Sequence, residues 1–466
     1  MKSQIQPLLL YDNAPPLPVR TTQTLTPPVA AAGGVAYHLV TLGCPKNVVD
    51  SESLESFLHR AGHVPADRAS SADLLIVNTC GFIDASKEES INTVLALVAD
   101  KRPHQQLIVA GCLTELYGDE LAGEIPEIDH IFGVNRWDEV AALAGGEPRS
   151  MYDIPTAGAV GPRRVSAYLK VSDGCNAPCT FCIIPTIKGR FSSIAAGEIV
   201  ASARRLVAEG ARELVLVAQD STAYGEDLGQ RDALPDLLRL LAASVPGTWL
   251  RLMYAYPGRV SPRLIEAIAA IPEVVPYLDM PLQHGSVSML RRMRRPANMT
   301  MVRRTLVDLR AAMPRIALRT SLITGFPGET EAEFEELLDF VREVRFDHVG
   351  VFTYSPQERT PAAAMADQVP ERVKRARRAR VMELQQQISL EKNRALIGCE
   401  LDVLIETCGE RRVRGKPRAT ATGRSYRDAP EVDGATVVHG VAEPGEIVQV
   451  RITDAGPYDL VGERVG

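Results

Sequence analysis

The sequence predicts an α/β chain in three parts: a doubly wound N-terminal domain, a partial (β/α) barrel and a small C-terminal all-β barrel. Short apolar strands alternate with amphipathic helical stretches over residues 37–146 and again over residues 163–395. That alternation belongs to parallel sheets covered by helices. From residue 396 to 466 the strands are short, turns are frequent and helical periodicity is lost, as in a small β-barrel. A third observation concerns cysteine: three of the eight follow strands of the first part, and three more crowd one loop of the second.

Residues 1–36 hold six prolines and only the short apolar run Leu8-Leu9-Leu10. They are expected to form a flexible extension rather than a secretory segment. The chain is 45% hydrophobic and 24% charged, an ordinary globular composition. It lacks an apolar run of the roughly 18–20 residues that span a bilayer, and a cytoplasmic location is expected. The net charge of −6 argues against a mainly phosphate partner and suits a basic one.

In the first part, YHLVTL (37–42), DLLIV (73–77) and LIVA (107–110) read as strands, and Ser51–Arg60 and Ser86–Ala99 read as helices. Cys44, Cys80 and Cys112 each follow a strand's carboxyl end within a few residues. In a parallel sheet those ends share one edge, where such folds place ligands. The three cysteines are therefore expected to converge. The plainer reading, three small buried thiols, stays open at this point.

A Pro- and Gly-rich linker, Gly145–Arg164, precedes the second part. There AYLKVS, ELVLVA, WLRLMYA, YLDMPL, RIALRTSLITGF and HVGVF alternate with helices, enough for a partial barrel and too few for a complete one. Val373–Asn393 reads as a long, polar, solvated connector helix with a basic start. In the tail LDVLIE, TVVHGV and EIVQVRI read as strands, and RRVRGKPR (Arg411–Arg418) as a basic solvated loop with Arg424 and Arg427 beyond it.

The most informative stretch is SDGCNAPCTFC, which holds Cys175, Cys179 and Cys182 spaced CxxxCxxC. A cubane 4Fe–4S cluster has four irons, so three thiolates leave one iron open to a small molecule. Zinc would need a fourth ligand, such as His284, or water. The loop leaves the first barrel strand, on the face where barrels carry their chemistry.

CxxxCxxC with an aromatic, Phe181, before the last cysteine resembles the radical S-adenosylmethionine (SAM) signature. The order of a spaced cysteine trio, a CxxxCxxC barrel and a small β-barrel resembles the radical SAM methylthiotransferases, from the end of the extension to the C-terminus. The resemblance implies a methylthiotransferase N-terminal domain, a radical SAM core and a TRAM domain. It implies one 4Fe–4S cluster on Cys44, Cys80 and Cys112, and a second on Cys175, Cys179 and Cys182 with SAM on the open iron. Reductive cleavage of that SAM supplies a 5′-deoxyadenosyl radical, while another SAM supplies the methyl group. Phe181, Gln219 in VAQDSTAYG and Gly325 in SLITGFPGET are implied SAM contacts, with Asp220 beside them. Cys399 and Cys408 fall outside the pattern and are expected to be structural.

Within the family, GCPKN (43–47), NTCGFI (78–83), YLDMPLQH (277–284) and APEVDG (429–434) resemble the branch that methylthiolates the β-carbon of an aspartate in small-subunit ribosomal protein S-twelve. The alternative is the branch that modifies a tRNA adenosine. Residues 396–466 carry nine Lys and Arg against twelve Asp and Glu, a net charge of −3. That balance suits a basic protein substrate better than tRNA, and the expected recognition groups are Glu431 and Asp433. Arg411–Arg418 is the expected point of any ribosomal RNA contact. The resemblance also implies an electron donor such as a flavodoxin or ferredoxin.

Overall fold

The computed structural model describes residues 34–134, 136–143, 165–413 and 416–465. Most of the N-terminal extension and the linker Gly145–Arg164 lie outside the described residues. The chain forms two compact units, Met1–Gly158 and Ala159–Gly466.

The first unit runs β1 (Ala36–Thr41), α1 (Pro45–Arg60), β2 (Val64–Pro65), β3 (Leu74–Thr79), α2 (Asp84–Asp100), β4 (Gln106–Gly111), α3 (Cys112–Glu124), β5 (His130–Phe132) and α4 (Trp137–Leu143). The sheet order is β2-β1-β3-β4-β5 with every pairing parallel. Alternate residues of β3 and β4 serve opposite faces, as strand periodicity requires. Leu74, Ile76, Ile108 and Ala110 pack with α1 and α4, through Leu54, Phe57, Trp137 and Val140. Leu75, Val77, Leu107 and Val109 pack with α2 and α3, through Ile91, Val94, Leu113 and Leu121. The sheet is thus doubly wound, and its order reverses between β1 and β3, the place where such sheets bind ligands. Helix α1 begins six residues before the expected start. Its first turns bury polar side chains, Lys46, Asn47, Asp50 and Ser51, and so carry no amphipathic signal.

The second unit opens with β6 (Ser166–Lys170), β7 (Ser172–Asp173), α5 (Ile184–Lys188), β8 (Ser192–Ser193), α6 (Ala196–Ala208), β9 (Glu213–Val217), α7 (Leu234–Ser244) and β10 (Trp249–Leu252). It continues through α8 (Pro262–Ala270), β11 (Val274–Asp279), α9 (Val287–Arg292), α10 (Met299–Ala312), β12 (Ala317–Thr324), α11 (Glu331–Val344), β13 (His348–Thr353) and α12 (Glu371–Arg394). Six of these strands make one parallel sheet, β13-β12-β11-β10-β9-β6, the partial barrel. Then β14 (Glu400–Val413), β15 (Lys416–Ser425), β16 (Thr436–His439), β17 (Ile447–Ala455) and β18 (Leu460–Arg464) close a five-stranded barrel. Among the described residues no helix is long and apolar enough to cross a membrane.

Three expectations need correction here. Helix α12 is not solvated all round: two cations of its basic start, Lys374 and Arg377, are buried, with Lys374 Nζ donating to Tyr354 O at 2.7 Å and Arg377 paired to Glu329 at 2.8 Å, while Arg372, Arg375, Arg378 and Arg380 are exposed. The run Arg411–Arg418 is not a loop but the arms of the β14–β15 hairpin, with Arg411 opposite Arg418; its side chains and residues 414–415 lie outside the description. Arg424 and Arg427 are not available to RNA. Arg424 donates to Glu213 at 2.7 Å and to Glu406 at 2.8 Å, and Arg427 to Asp347 at 3.0 Å, all three ion pairs nearly closed to solvent on the arginine side.

These arginines belong to a polar seam between the closed barrel and the six-stranded sheet. Glu213 sits at zero exposure between Arg251 at 2.7 Å and Arg424. Arg251 also donates to Tyr426 O at 2.6 Å and lies 4.6 Å over the Tyr277 ring. Asp433 accepts from Tyr277 Oη at 2.7 Å and Arg319 Nε at 3.2 Å. Its carboxyl is 1% exposed, so it cannot recognise a substrate as expected, and Glu431 is the exposed acid of that loop. Burial alone would raise the Glu213 pKa, but the two guanidiniums outweigh it and hold it at about 2.

Removing one partner of a buried ion cluster costs on the order of 3–5 kcal/mol. Glu213→Gln is therefore expected to lower the unfolding free energy of the second unit by about that much. Because the folded pKa lies below the ordinary carboxylate value, the Glu213 contribution is present above pH ~4.5 and lost as pH falls toward about 2. Urea unfolding from pH 7 down to pH 2 checks both points: the variant should show a shallower acid loss. Parallel curves would contradict the assignment.

Candidate functional site

The first unit brings its cysteines to one sheet edge. Cys44 is the residue before α1, Cys80 follows β3, and Cys112 is the first residue of α3. Cys80 and Cys112 are buried and Cys44 half-buried. Two of the three therefore stand at helix N-termini, where the macrodipole favours a thiolate. Close backbone approach is built in. Gly43 has φ +95°, and a Cβ there would stand 2.7 Å from Cys80 Cβ and 2.8 Å from its Sγ. Gly111, at φ +112°, approaches Thr79 O as closely.

One side chain laces the three loops. Asn47 Nδ2 donates to Leu42 O at 2.9 Å and to Thr79 O at 3.2 Å, the carbonyls leading toward Cys44 and Cys80. Its Oδ1 accepts from Cys112 Sγ at 3.8 Å. Asn78 Nδ2 donates back to Asn47 O at 2.9 Å and to Ser51 Oγ at 3.0 Å. Ser90 clasps the Cys80 peptide through both its N–H and its carbonyl. Burial pushes the Cys80 thiol up, and nearby Cys44 adds to the shift. The plain reading of three unrelated thiols does not explain this convergence.

In the second unit the loop from Gly174 to Cys182 leaves β7 at the carboxyl edge of the sheet. Cys175 N donates to Gly189 O at 3.3 Å, Thr180 N to Met293 O at 3.1 Å, and Ala362 N to Thr180 O at 2.9 Å. Asp173, held at about 2 against its burial by Lys170 and Lys188, pins the start of the loop. Cys175, Cys179 and Cys182 are half-buried. Burial pushes the Cys182 thiol up to about 12 and raises Cys175 as well, each thiol sensing the others. A metal group bound here would supply the charge that makes these thiols thiolates.

Among the described residues no three Cys, His, Asp or Glu side chains gather tightly enough to hold a single metal ion. A cubane places its thiolates on different irons and asks for a wider spread. The alternative zinc ligand is committed elsewhere. His284 is fully buried; its Nδ1 accepts from Ser286 N at 2.9 Å, which leaves Nε2 to donate to Glu329 at 3.0 Å.

Around the second trio, the amide of Gln219 has both Oε1 and Nε2 buried without a protein partner among the described residues. A buried amide so placed calls for a polar ligand. Phe181 packs against Met289, Met293, Phe326 and Tyr354, which fixes its ring. Gly325 lies at the carboxyl end of β12, and the space beside it is taken by the stem of Lys374, 2.3 Å from where a Cβ would be. Asp220 is paired to Arg259 at 2.8 Å. Tyr254 and Gln283, beyond β10 and β11, hold φ of +61° and +75°, and such strain clusters at functional sites. The sequence reading missed Arg295: Nη1 donates to Cys179 Sγ at 3.7 Å and the guanidinium stacks 4.2 Å over Tyr256. Its signal was hidden in the basic run RRMRR. Asn47 was legible only as part of GCPKN.

Comparison with known proteins fits this layout. Residues 36–133 match the model of an uncharacterized protein family, UPF0004; residues 169–341 match the radical SAM superfamily, and residues 397–465 the TRAM domain. The chain is 47% identical to the ribosomal protein uS12 methylthiotransferase RimO of Anaeromyxobacter sp. (strain Fw109-5), over 92% of this chain and 93% of that one. It is 45% identical to RimO of Roseiflexus sp. (strain RS-1), over 92% and 97%, and 43% identical to RimO of Geobacter sulfurreducens, over 91% and 97%. In fold it resembles the radical SAM methyltransferase TsrM of Kitasatospora setae, with a TM-score of 0.54 at 13% identity, over 71% of this chain and 77% of that one. By that sustained identity the chain belongs to the ribosomal protein uS12 methylthiotransferase (RimO) family of radical SAM enzymes, which implies SAM and 4Fe–4S clusters as its cofactors.

Proposed function

We propose that the chain methylthiolates the β-carbon of an aspartate in the small-subunit ribosomal protein uS12. What carries this reading is identity of 43–47% to RimO relatives over more than nine-tenths of this chain. The convergence of two separate cysteine trios supports it chemically. Cys175, Cys179 and Cys182 hold the cluster that meets SAM, and Cys44, Cys80 and Cys112 hold the second. When bound, these groups supply a carbon-centred radical, a methyl group and sulfur for a C–H bond that has no acid–base route.

The residues of the chain then have distinct tasks. Gln219 offers SAM a donor and an acceptor from an amide whose buried N and O find no partner among the described residues. The ring of Phe181, held by Met289 and Met293, gives the ligand a fixed apolar wall. The Gly325 segment brings backbone to the same edge. Asn47 and Ser90 hold the loops of Cys44, Cys80 and Cys112 in register. A flavodoxin- or ferredoxin-like protein supplies electrons. The β14–β15 hairpin, carrying Arg411–Arg418, is the proposed contact to ribosomal RNA, and the whole reaction is placed in the cytoplasm.

Anaerobically reconstituted protein with SAM and a reductant, given a uS12 peptide spanning the aspartate in one tube and an adenosine-containing tRNA in the other, tests the substrate. Mass spectrometry should find a methylthio group on the peptide alone; a gain on the tRNA alone would place the chain with the tRNA-modifying branch. A second expectation separates the trios. Gly43→Ala should abolish thiolation by more than about tenfold, because the new methyl group collides with Cys80. It should leave reductive SAM cleavage, followed as 5′-deoxyadenosine by chromatography, within about twofold of wild type. Loss of both activities in a folded variant would contradict independent sites.

A further inference from the structure

We infer that the two trios are electrostatically set apart, so that an electron delivered to this protein settles at Cys175, Cys179 and Cys182 and not at Cys44, Cys80 and Cys112. The inference rests on the two-cluster reading above. The reduction potential of an iron–sulfur cluster rises with positive charge and with hydrogen-bond donors directed at its sulfurs. The two sites differ in the charge and polarity of the side chain that addresses a ligand sulfur.

At the second trio a full cation addresses a ligand sulfur. Arg295 Nη1 donates to Cys179 Sγ at 3.7 Å, while Nη2 donates to Pro281 O. The plane of the guanidinium rests 4.2 Å over Tyr256, so the charge is fixed in place. Cys175 Sγ also accepts from Ala177 N at 3.4 Å. The other nearby charges are paired among themselves: Arg259 with Asp220 at 2.8 Å and Glu226 at 3.4 Å, and Asp173 with Lys170 and Lys188. Arg295 is the charged side chain that donates directly to a ligand sulfur.

At the first trio the corresponding neighbour has the opposite polarity. Both hydrogens of the Asn47 amide are engaged by the carbonyls of Leu42 and Thr79. Turning the amide over would set its oxygen against those two carbonyl oxygens, so Oδ1 must face Cys112, 3.8 Å away. Ligation removes the thiol proton, which leaves the negative end of a carbonyl dipole aimed at a ligand sulfur. Cys80 has neutral donors, the Phe82 N–H and the Ser86 hydroxyl, and the charged side chain acting on it is the Glu89 carboxylate. Lys46, two residues beyond Cys44, is buried with an interaction of its own. The balance favours a lower potential here.

The consequence is a division of labour. Each reductive cleavage of SAM consumes one electron from the external low-potential donor. An electron resting on the first trio would be lost to that step.

Redox titration of the full-length, anaerobically reconstituted protein without SAM, followed by electron paramagnetic resonance, tests the inference. Signals are assigned by replacing each cysteine trio with alanine. The cluster at Cys175, Cys179 and Cys182 should have the higher midpoint. Arg295→Gln should lower it, whereas Arg295→Lys, which keeps the charge, should leave it near wild type. Asn47→Ala should raise the midpoint of the other cluster, and Asn47→Asp should lower it. A purely structural role would not give opposite shifts. A reversed order in wild type, an unmoved Arg295→Gln midpoint, or Asn47 variants shifting together would overturn the inference. Should an Asn47 variant fail to load its cluster, the wild-type order and the Arg295 pair still decide. If alanine at one trio removes neither signal, the two-cluster reading fails first, and the inference falls with it.

Discussion

Parallel strands deliver the chain to a common edge, and both cysteine trios depend on that constraint. In the first unit β1, β3 and β4 run side by side. Residues as far apart as Cys44 and Cys112 are therefore brought to one sheet edge. Strand order reverses between β1 and β3, the place where such sheets bind ligands. In the second unit β6 delivers the CxxxCxxC loop to the same kind of edge, beside the ends of β9, β10 and β12. Gly43 shows how narrow the tolerance is: one methyl group there would stand 2.8 Å from Cys80 Sγ, inside van der Waals contact.

The second constraint is the buried polar seam. Glu213, Arg251 and Arg424 lie at 0%, 0% and 4% exposure, where removing one charge strands the others. Two stretches quoted separately in the sequence, YLDMPLQH and APEVDG, meet there through Tyr277 and Asp433. Their shared wording thus has a physical content: it joins the closed barrel to the sheet. The acidic balance of the tail must be weighed accordingly. Asp433 and Asp428 are spent on internal contacts, as are Arg424 and Arg427, which leaves the net charge of residues 396–466 unchanged but takes these four groups out of a substrate's reach.

Much of this was legible in the sequence because it is carried by periodicity. The apolar runs of β1, β3 and β4, alternating with helical stretches, marked the first sheet as parallel, and the six runs from AYLKVS to HVGVF marked the partial barrel. The six cysteines were legible because three thiols spaced CxxxCxxC, or repeated after strands, have few structural uses. Side chains whose meaning depends on distant partners were not legible. Lys374, Arg377 and Arg424 read as solvated charges, yet they are buried against groups 20, 48 and 211 residues away respectively. Asn47 was marked only by its place in GCPKN and Arg295 by nothing, since one side chain laces three loops and the other reaches a sulfur 116 residues away. The start of α1 was missed because its buried face is polar.

The central claim is that this chain holds two clusters on three thiols each, and Mössbauer spectroscopy of protein loaded with iron-57 addresses it directly. The account predicts about eight irons per chain, with SAM changing the spectrum of one of them. About four irons per chain, or a spectrum that SAM leaves unchanged, would contradict it.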